Sequence, residues 1–126
     1  MSEAIRESVG ADELLDALSE YATKAGASPR VGKTLGGWNC RIHIQATDHD
    51  AAFTLVISGG KPATPTAGMS GAADLVVRGH SFDLAEIFWG DANPVSNYMQ
   101  GAIRTQGRAE DVMRLDAMAM FVFLGQ

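Results

Sequence analysis

Hydrophobic and polar positions along this chain change their period several times, and those changes lay out its elements. From Asp12 to Ala25, Leu14, Leu15, Leu18, Ala22 and Ala25 fall on one helical face. Asp12, Glu13, Asp16, Glu20 and Lys24 lie largely opposite, which predicts an amphipathic helix ending near Gly26. Between Trp38 and Thr47 the period becomes two. Trp38, Cys40, Ile42, Ile44 and Ala46 alternate with Asn39, Arg41, His43, Gln45 and Thr47, the pattern of a strand with one wet face. Asp48-His49-Asp50 makes a turn, and Phe53, Leu55 and Ile57 continue the buried side on an antiparallel partner that ends at Gly59-Gly60. Pro62 and Pro65 lack the N–H a ladder needs, so any strand between Lys61 and Gly68 lies at a sheet edge. Ala73 to Arg78, with Leu75 and Val77 inward, reads as a fourth strand, and Ala102 to Gln106 as a fifth.

The later helices are more apolar than one core-facing stripe requires. Ser81 to Trp89 is placed to be capped by Ser81 and ended by Gly90. Leu84, Ile87 and Phe88 cover one of its faces, and Phe82, Ala85 and Trp89 a second, leaving only Asp83 and Glu86 for water. Asn93-Pro94 is a start signal for a short helix stopped by Gly101. From Arg108 onward Ala109, Val112, Met113, Ala117 and Met120 form an apolar stripe. Ala117 to Leu124 is apolar throughout, so the last turns are expected to have no solvated face. Strands and helices alternate too irregularly for a doubly wound sheet, and the pattern predicts an α+β fold with a mainly antiparallel sheet. The length fits a single domain over residues 1–126.

Composition narrows the function. With 46% hydrophobic and 20% charged residues the chain is an ordinary globular one, and no apolar run is long enough to span a bilayer. A formal net charge of -5, with basic residues dispersed, argues against a nucleic-acid partner. The lone Cys40 excludes an intramolecular disulfide and fits a reducing compartment. The N-terminal residues carry acidic groups and no signal-type apolar core, and Phe123-Leu124-Gly125-Gln126 is not an organelle address, so the expected location is the cytoplasm.

Candidate chemistry is sparse. Ala27 to Thr34 matches a relaxed phosphate loop, but a helix precedes it and Leu35-Gly36-Gly37 cannot start one, so a plain helix-to-strand connection is expected. Gly68-Met69-Ser70-Gly71-Ala72 nearly spells a nucleophile elbow, yet Ala72 replaces its last glycine and no helix follows. His43, His49 and His80 have no ligand spacing among them and are read as solvated. No acid/base carboxylate pair stands out. The reading is therefore of a non-enzyme without catalytic residues, metal or cofactor; an enzyme using Asp83, Glu86 or His80 beside an apolar pocket is the weaker option.

Surplus apolar surface needs another use. Of the six methionines, Met99, Met113, Met118 and Met120 lie near the later apolar helices, which suits adaptable walls as well as a padded core. Ala73-Asp74-Leu75-Val76-Val77, Asp83-Leu84, Gly90, Asn93-Pro94, Gln100-Gly101-Ala102-Ile103, Gly107 and Met113 to Leu115 together resemble the sterol carrier protein 2, or nonspecific lipid-transfer, domain family. The likeness extends over about Gly36 to Phe121. It implies a five-stranded sheet covered on one face by about five helices, with a hydrophobic tunnel between the layers for fatty acids, acyl-CoA, sterols or phospholipids. Carried onto matching positions, the implied wall residues are Phe53, Leu55 and Ile57; Phe82, Ile87, Phe88 and Trp89; Met99 and Ile103; and Met113, Met118 and Phe121. The missing peroxisomal tripeptide favours a bacterial-type stand-alone member. The alternative is an accessory module whose apolar C-terminal helix pairs with a second copy or docks on a lipid- or steroid-metabolising enzyme.

Overall fold

In a computed structural model, which describes residues 8–90, 101 and 103–125, the alternating segment becomes β1 (Cys40–Ala46) at the centre of a mixed sheet. Its antiparallel neighbour β2 (Ala52–Ser58) sets Leu55 opposite Ile42 and Phe53 opposite Ile44, so the inward side chains stand side by side. Two short strands, β3 (Lys61–Pro62) and β4 (Thr66–Ala67), pair with the far side of β2, at the sheet edge where Pro62 and the adjoining Pro65 are tolerated. On the other side of β1, β5 (Leu75–Gly79) runs parallel to it, and β6 (Ile103–Gly107) closes that side antiparallel to β5. Every pairing except β1–β5 is antiparallel. The parallel pair arises because the chain crosses the outer face of the sheet on its way from β2 to β5.

Four helices among the described residues cover the inner face: α1 (Ala11–Ala27), α2 (Pro29–Leu35), α3 (Ser81–Trp89) and α4 (Ala109–Leu124). The Asn93-Pro94 segment and Met99 lie outside the described residues. Helix α1 buries Leu14, Ala17, Leu18, Tyr21, Ala22 and Ala25 and runs through Gly26 to Ala27. It stops at Ser28 because that residue starts the next helix: the Ser28 hydroxyl accepts from the Val31 N–H at 3.2 Å, and Pro29 supplies a preset first turn. The expected plain connection is thus a helix whose Val31 and Leu35 enter the core.

Two expectations for the later helices also change. The cap of α3 is His80, whose Nδ1 accepts from the Phe82 N–H at 3.1 Å, and Ser81 is its first helical residue. In α4 the inward face is Asp111, Leu115, Met118 and Ala119, whereas the predicted stripe through Met113, Ala117 and Met120 points away from it. Asp111 decides the rotation. Its Oδ1 accepts from the buried Trp38 indole N–H at 3.0 Å, fixing the first turn of α4 to the segment that leads into β1. Leu124 is consequently 54% exposed and Met120, Phe121, Val122 and Phe123 are only partly buried, so the last turns do carry an exposed face.

The outer face of the sheet is not simply wet. Residues 68–71 cross it as a strap, held by the Thr54 hydroxyl, which donates to the Gly68 carbonyl at 2.7 Å and accepts from the Ser70 N–H at 3.0 Å. Beneath it His43 is 8% exposed, its Nε2 donating to the Ser70 carbonyl at 3.1 Å, so this histidine is not solvated as the alternation suggested. Gly71 has φ +70°, a left-handed conformation that suits glycine, and any Cβ there would also have to displace the Arg41 guanidinium.

Candidate functional site

The inner side chains of the sheet and the inner faces of three helices do not quite meet. Ile42 and Ile44 of β1, Leu55 of β2, Val77 of β5 and Ile103 of β6 form a floor. Tyr21 of α1, Leu84, Ile87 and Phe88 of α3, and Leu115 and Ala119 of α4 form a roof. Between them remains a cavity of about 30 Å³, room for one or two water-sized groups. A wall so apolar offers water almost no partners, so the gap is a dry one. It is much smaller than an alkyl-chain tunnel. In the roof the Tyr21 and Phe88 rings pack at 5.5 Å between centroids and a tilt of 58°, above a floor of aliphatic side chains.

Of the residues named from the sequence, Leu55, Ile87, Phe88 and Ile103 meet around this cavity. Phe53, Ile57 and Met118 are almost fully buried in the surrounding core. Phe82 and Trp89 are partly buried and packed against it. Phe121 lies instead in a groove between the end of α4 and the junction of α1 and α2. Met113 is 69% exposed on the outer face of α4, which takes it off the cavity wall. Sequence reasoning assigned Ile42, Ile44, Val77 and Leu84 to buried faces without placing them at a site. Tyr21 was missed, although its i+7 spacing from Leu14 and i+3 spacing from Leu18 puts it on the same stripe.

The polar groups near the start of α3 are committed to structure. Asp48 accepts from the Ser81 N–H at 2.8 Å through Oδ1 and from the Ser81 and Ser8 hydroxyls at 2.7 and 2.6 Å through Oδ2. The Ser81 Oγ in turn accepts from the Val9 N–H at 2.8 Å, and His49 Nε2 donates to the Val9 carbonyl at 2.8 Å. His80 Nε2 stands 3.5 Å from Asp48 while its Nδ1 is occupied by the Phe82 N–H. Serine, histidine and aspartate are adjacent here, yet the serine proton points at the carboxylate and the histidine has no lone pair directed at the serine. That arrangement pins the segment before α1 to the segment before α3, and it does not activate a nucleophile. Cys40 is no nucleophile either. Burial, reinforced by Asp111 and Asp74 and opposed by Arg108, pushes its thiol up to about 12, so it stays protonated at neutral pH.

Burial of Asp48 favours the neutral acid, but the hydrogen bonds from Ser8 and Ser81 outweigh it and hold the carboxyl well below the usual carboxylate range. With the folded value depressed, Asp48 contributes stability above its unfolded value, and that contribution is lost as pH falls toward the folded one. Asp48→Asn is therefore expected to lower the urea midpoint at pH 7, with the gap to the parent closing as the pH is taken below about 4. A gap that stays constant as the pH is taken well below about 4 would show that the ionised carboxylate contributes nothing.

The architecture agrees with the comparisons. The family described as SCP-2 sterol transfer matches residues 18–120. The chain belongs to that family. A crystal structure of sterol carrier protein 2 superposes with a TM-score of 0.64 at 17% identity, covering 89% of this chain and 92% of the other. The UbiJ-SCP2 ubiquinone synthesis protein gives 0.64 at 18% identity, covering 90% and 95%. Palmitated SCP2L2 from Aedes aegypti, solved in solution, gives 0.60 at 15% identity, covering 88% and 95%. At these identities the structural likeness concerns the fold. Among curated proteins none matches the chain significantly. No helix among the described residues is long and apolar enough to cross a membrane.

Proposed function

We propose that this member of the SCP-2 sterol transfer family binds a long-chain hydrophobic ligand, a fatty acid, acyl-CoA, sterol or phospholipid, with its chain inserted between the sheet and helices α1, α3 and α4. The observation that carries the reading is the dry, apolar gap where floor and roof fail to meet, in a fold shared with the palmitated SCP2L2 of Aedes aegypti. The described conformation is the closed one. Admission of a chain requires Phe88, Ile87 and the Leu115–Ala119 face of α4 to move outward. Burying about fourteen methylenes at about 0.8 kcal/mol each yields about 11 kcal/mol, against which the costs of association and of parting the roof are set. The ligand then occupies the volume between Leu55 and Ile103 below and Ile87 and Phe88 above, with Phe53, Ile57, Met118, Phe82 and Trp89 repacking behind them.

Titration with a fluorescent long-chain fatty acid, paired with native mass spectrometry of the purified protein, tests this. A saturable one-to-one complex that a non-fluorescent acid displaces is the expected result. Protein that carries no lipid and takes up none at micromolar concentration would overturn the reading.

A further inference from the structure

Helix α4 is apolar on opposite sides. Its inner face lends Leu115 and Ala119 to the cavity wall. Its outer face presents Met113, Ala117, Met120 and Leu124 at i, i+4, i+7 and i+11, a continuous ridge that is 69% exposed at Met113 and 54% exposed at Leu124. Beside the C-terminal half of the ridge, a surface groove of about 300 Å³ runs between Phe121 and Val122 and the junction of α1 and α2. Its lining contains Lys24 and, among the described residues, no carboxylate. The Arg30 guanidinium lies 5.3 Å from the centre of the Phe121 ring. Arg114, 42% exposed, is only loosely engaged by Glu110 and Asp111 at 3.9 Å. On a chain of net charge -5, an exposed apolar ridge is thus bordered by Lys24, Arg30 and Arg114, with Glu110 and Asp116 the carboxylates on the same helix surface.

We infer that the outer face of α4 is a membrane-docking surface, which sinks the Met113–Leu124 ridge into the headgroup boundary of an anionic bilayer while Lys24, Arg30 and Arg114 meet the lipid phosphates. The inference rests on the lipid-carrier reading. A helix with one apolar face lies in an interface with that face about 5–10 Å deep, and lysine and arginine stems run along the apolar surface to keep their charges at phosphate level. Charge selects the occupant: cations beside the ridge are complementary to an anionic leaflet, whose field adds to what the ridge gains by burial. The placement also couples docking to the cavity. An α-helix is about 10 Å across, so a bilayer touching the outer face of α4 lies one helix away from the gap, and the element it touches is itself part of the roof that has to move.

Flotation with vesicles of phosphatidylcholine and phosphatidylglycerol at three to one, against vesicles of phosphatidylcholine alone, tests the surface. The full chain is expected to partition onto the anionic vesicles, more weakly onto the neutral ones, and less as salt is raised. The double variant Met113→Glu with Leu124→Glu, at two exposed positions away from the cavity, should lose at least tenfold in partitioning while still binding fatty acid from solution. Lys24→Ala with Arg30→Ala should lose about fivefold per cation on anionic vesicles only. Wild-type protein that binds fatty acid but ignores anionic vesicles, or a double glutamate variant that binds them as well as the parent, overturns the inference and leaves the carrier reading standing. A wild-type dimer in light scattering that the glutamates dissociate, without vesicle binding by either protein, assigns the ridge to a second copy and equally overturns it. Vesicle binding without fatty-acid uptake would instead defeat the carrier reading, because docking uses only the outer face.

Discussion

Phe88→Ala is expected to lower the stability of the ligand-free protein by about 3–5 kcal/mol and to make a long-chain fatty acid restore much of the loss. Phe88 is 7% exposed and stands in the roof over the cavity, its ring against that of Tyr21. Removing it forfeits the transfer free energy of the ring and the ring–ring contact. It also leaves a void of about 100 Å³ that costs a further ~24 cal/mol per Å³ unless the roof collapses. The existing gap of about 30 Å³ would join that void, so the variant presents a preformed space in which the parent must first displace a ring. A ligand at a hundred times its dissociation constant stabilises by about 2.7 kcal/mol, and the intrinsic affinity for a chain should rise because less roof has to be moved. Thermal unfolding with and without palmitate reads both effects. If palmitate raises the midpoint of the variant no more than that of the parent, the chain does not lie beneath Phe88.

How much of this was visible beforehand differs by element, for physical reasons. The strands were legible because a strand has period two and one buried side: Cys40, Ile42, Ile44 and Ala46 leave no second way to orient β1, and Phe53, Leu55 and Ile57 fix β2 against it. Orientation failed at α4, since a helix apolar on most of its circumference has no unique inward stripe. The run through Met113, Ala117 and Met120 looks better than the correct one, which contains Asp111. An aspartate on a core-facing position counts against that face until its partner is known, and the partner, Trp38, is 73 residues away in the chain. The start of α2 was available locally in Ser28-Pro29, but Gly32 and Gly36 lowered its apparent helix propensity, and the packing of Val31 and Leu35 compensates for that cost. His43 was misplaced for the same reason as Asp111: the strap that covers it comes from another part of the chain.

For the site, the sequence identified the material but not the volume. Residue type says that Leu55, Ile87, Phe88 and Ile103 are inside, but a methyl group facing another methyl group and one facing a gap read the same in a sequence. Spacing could have recovered Tyr21 and, less directly, the outward character of Met113, whose helical position follows from the inward position of Leu115 two residues later.

Asp111→Ala is the second substitution with a large expected effect, about 2–4 kcal/mol of lost stability, because it breaks the contact that orients α4. The carboxylate is 2% exposed and accepts from the Trp38 indole N–H at 3.0 Å and from the Arg108 Nε at 3.4 Å. It also sits in the first turn of α4, where the exposed N–H groups favour a negative charge. Alanine leaves the Trp38 N–H, itself on a residue only 4% exposed, without its acceptor and removes the favourable charge from the helix start. Asparagine separates the two contributions. It keeps an oxygen for Trp38 and gives up the charge, so Asp111→Asn should cost about 1–2 kcal/mol in urea unfolding, well short of the alanine value. The consequence reaches the cavity as well, since Leu115 and Ala119 follow Asp111 on the same face of α4 at i+4 and i+8 and take their rotation from it. A helix freed at its first turn can rotate its outer methionine ridge toward the core, and fatty-acid affinity should then fall in the alanine variant even under conditions where it remains folded. Equal costs for alanine and asparagine would place the whole effect in the charge. An alanine variant as stable as the parent would show that the Trp38 bond does not hold the helix.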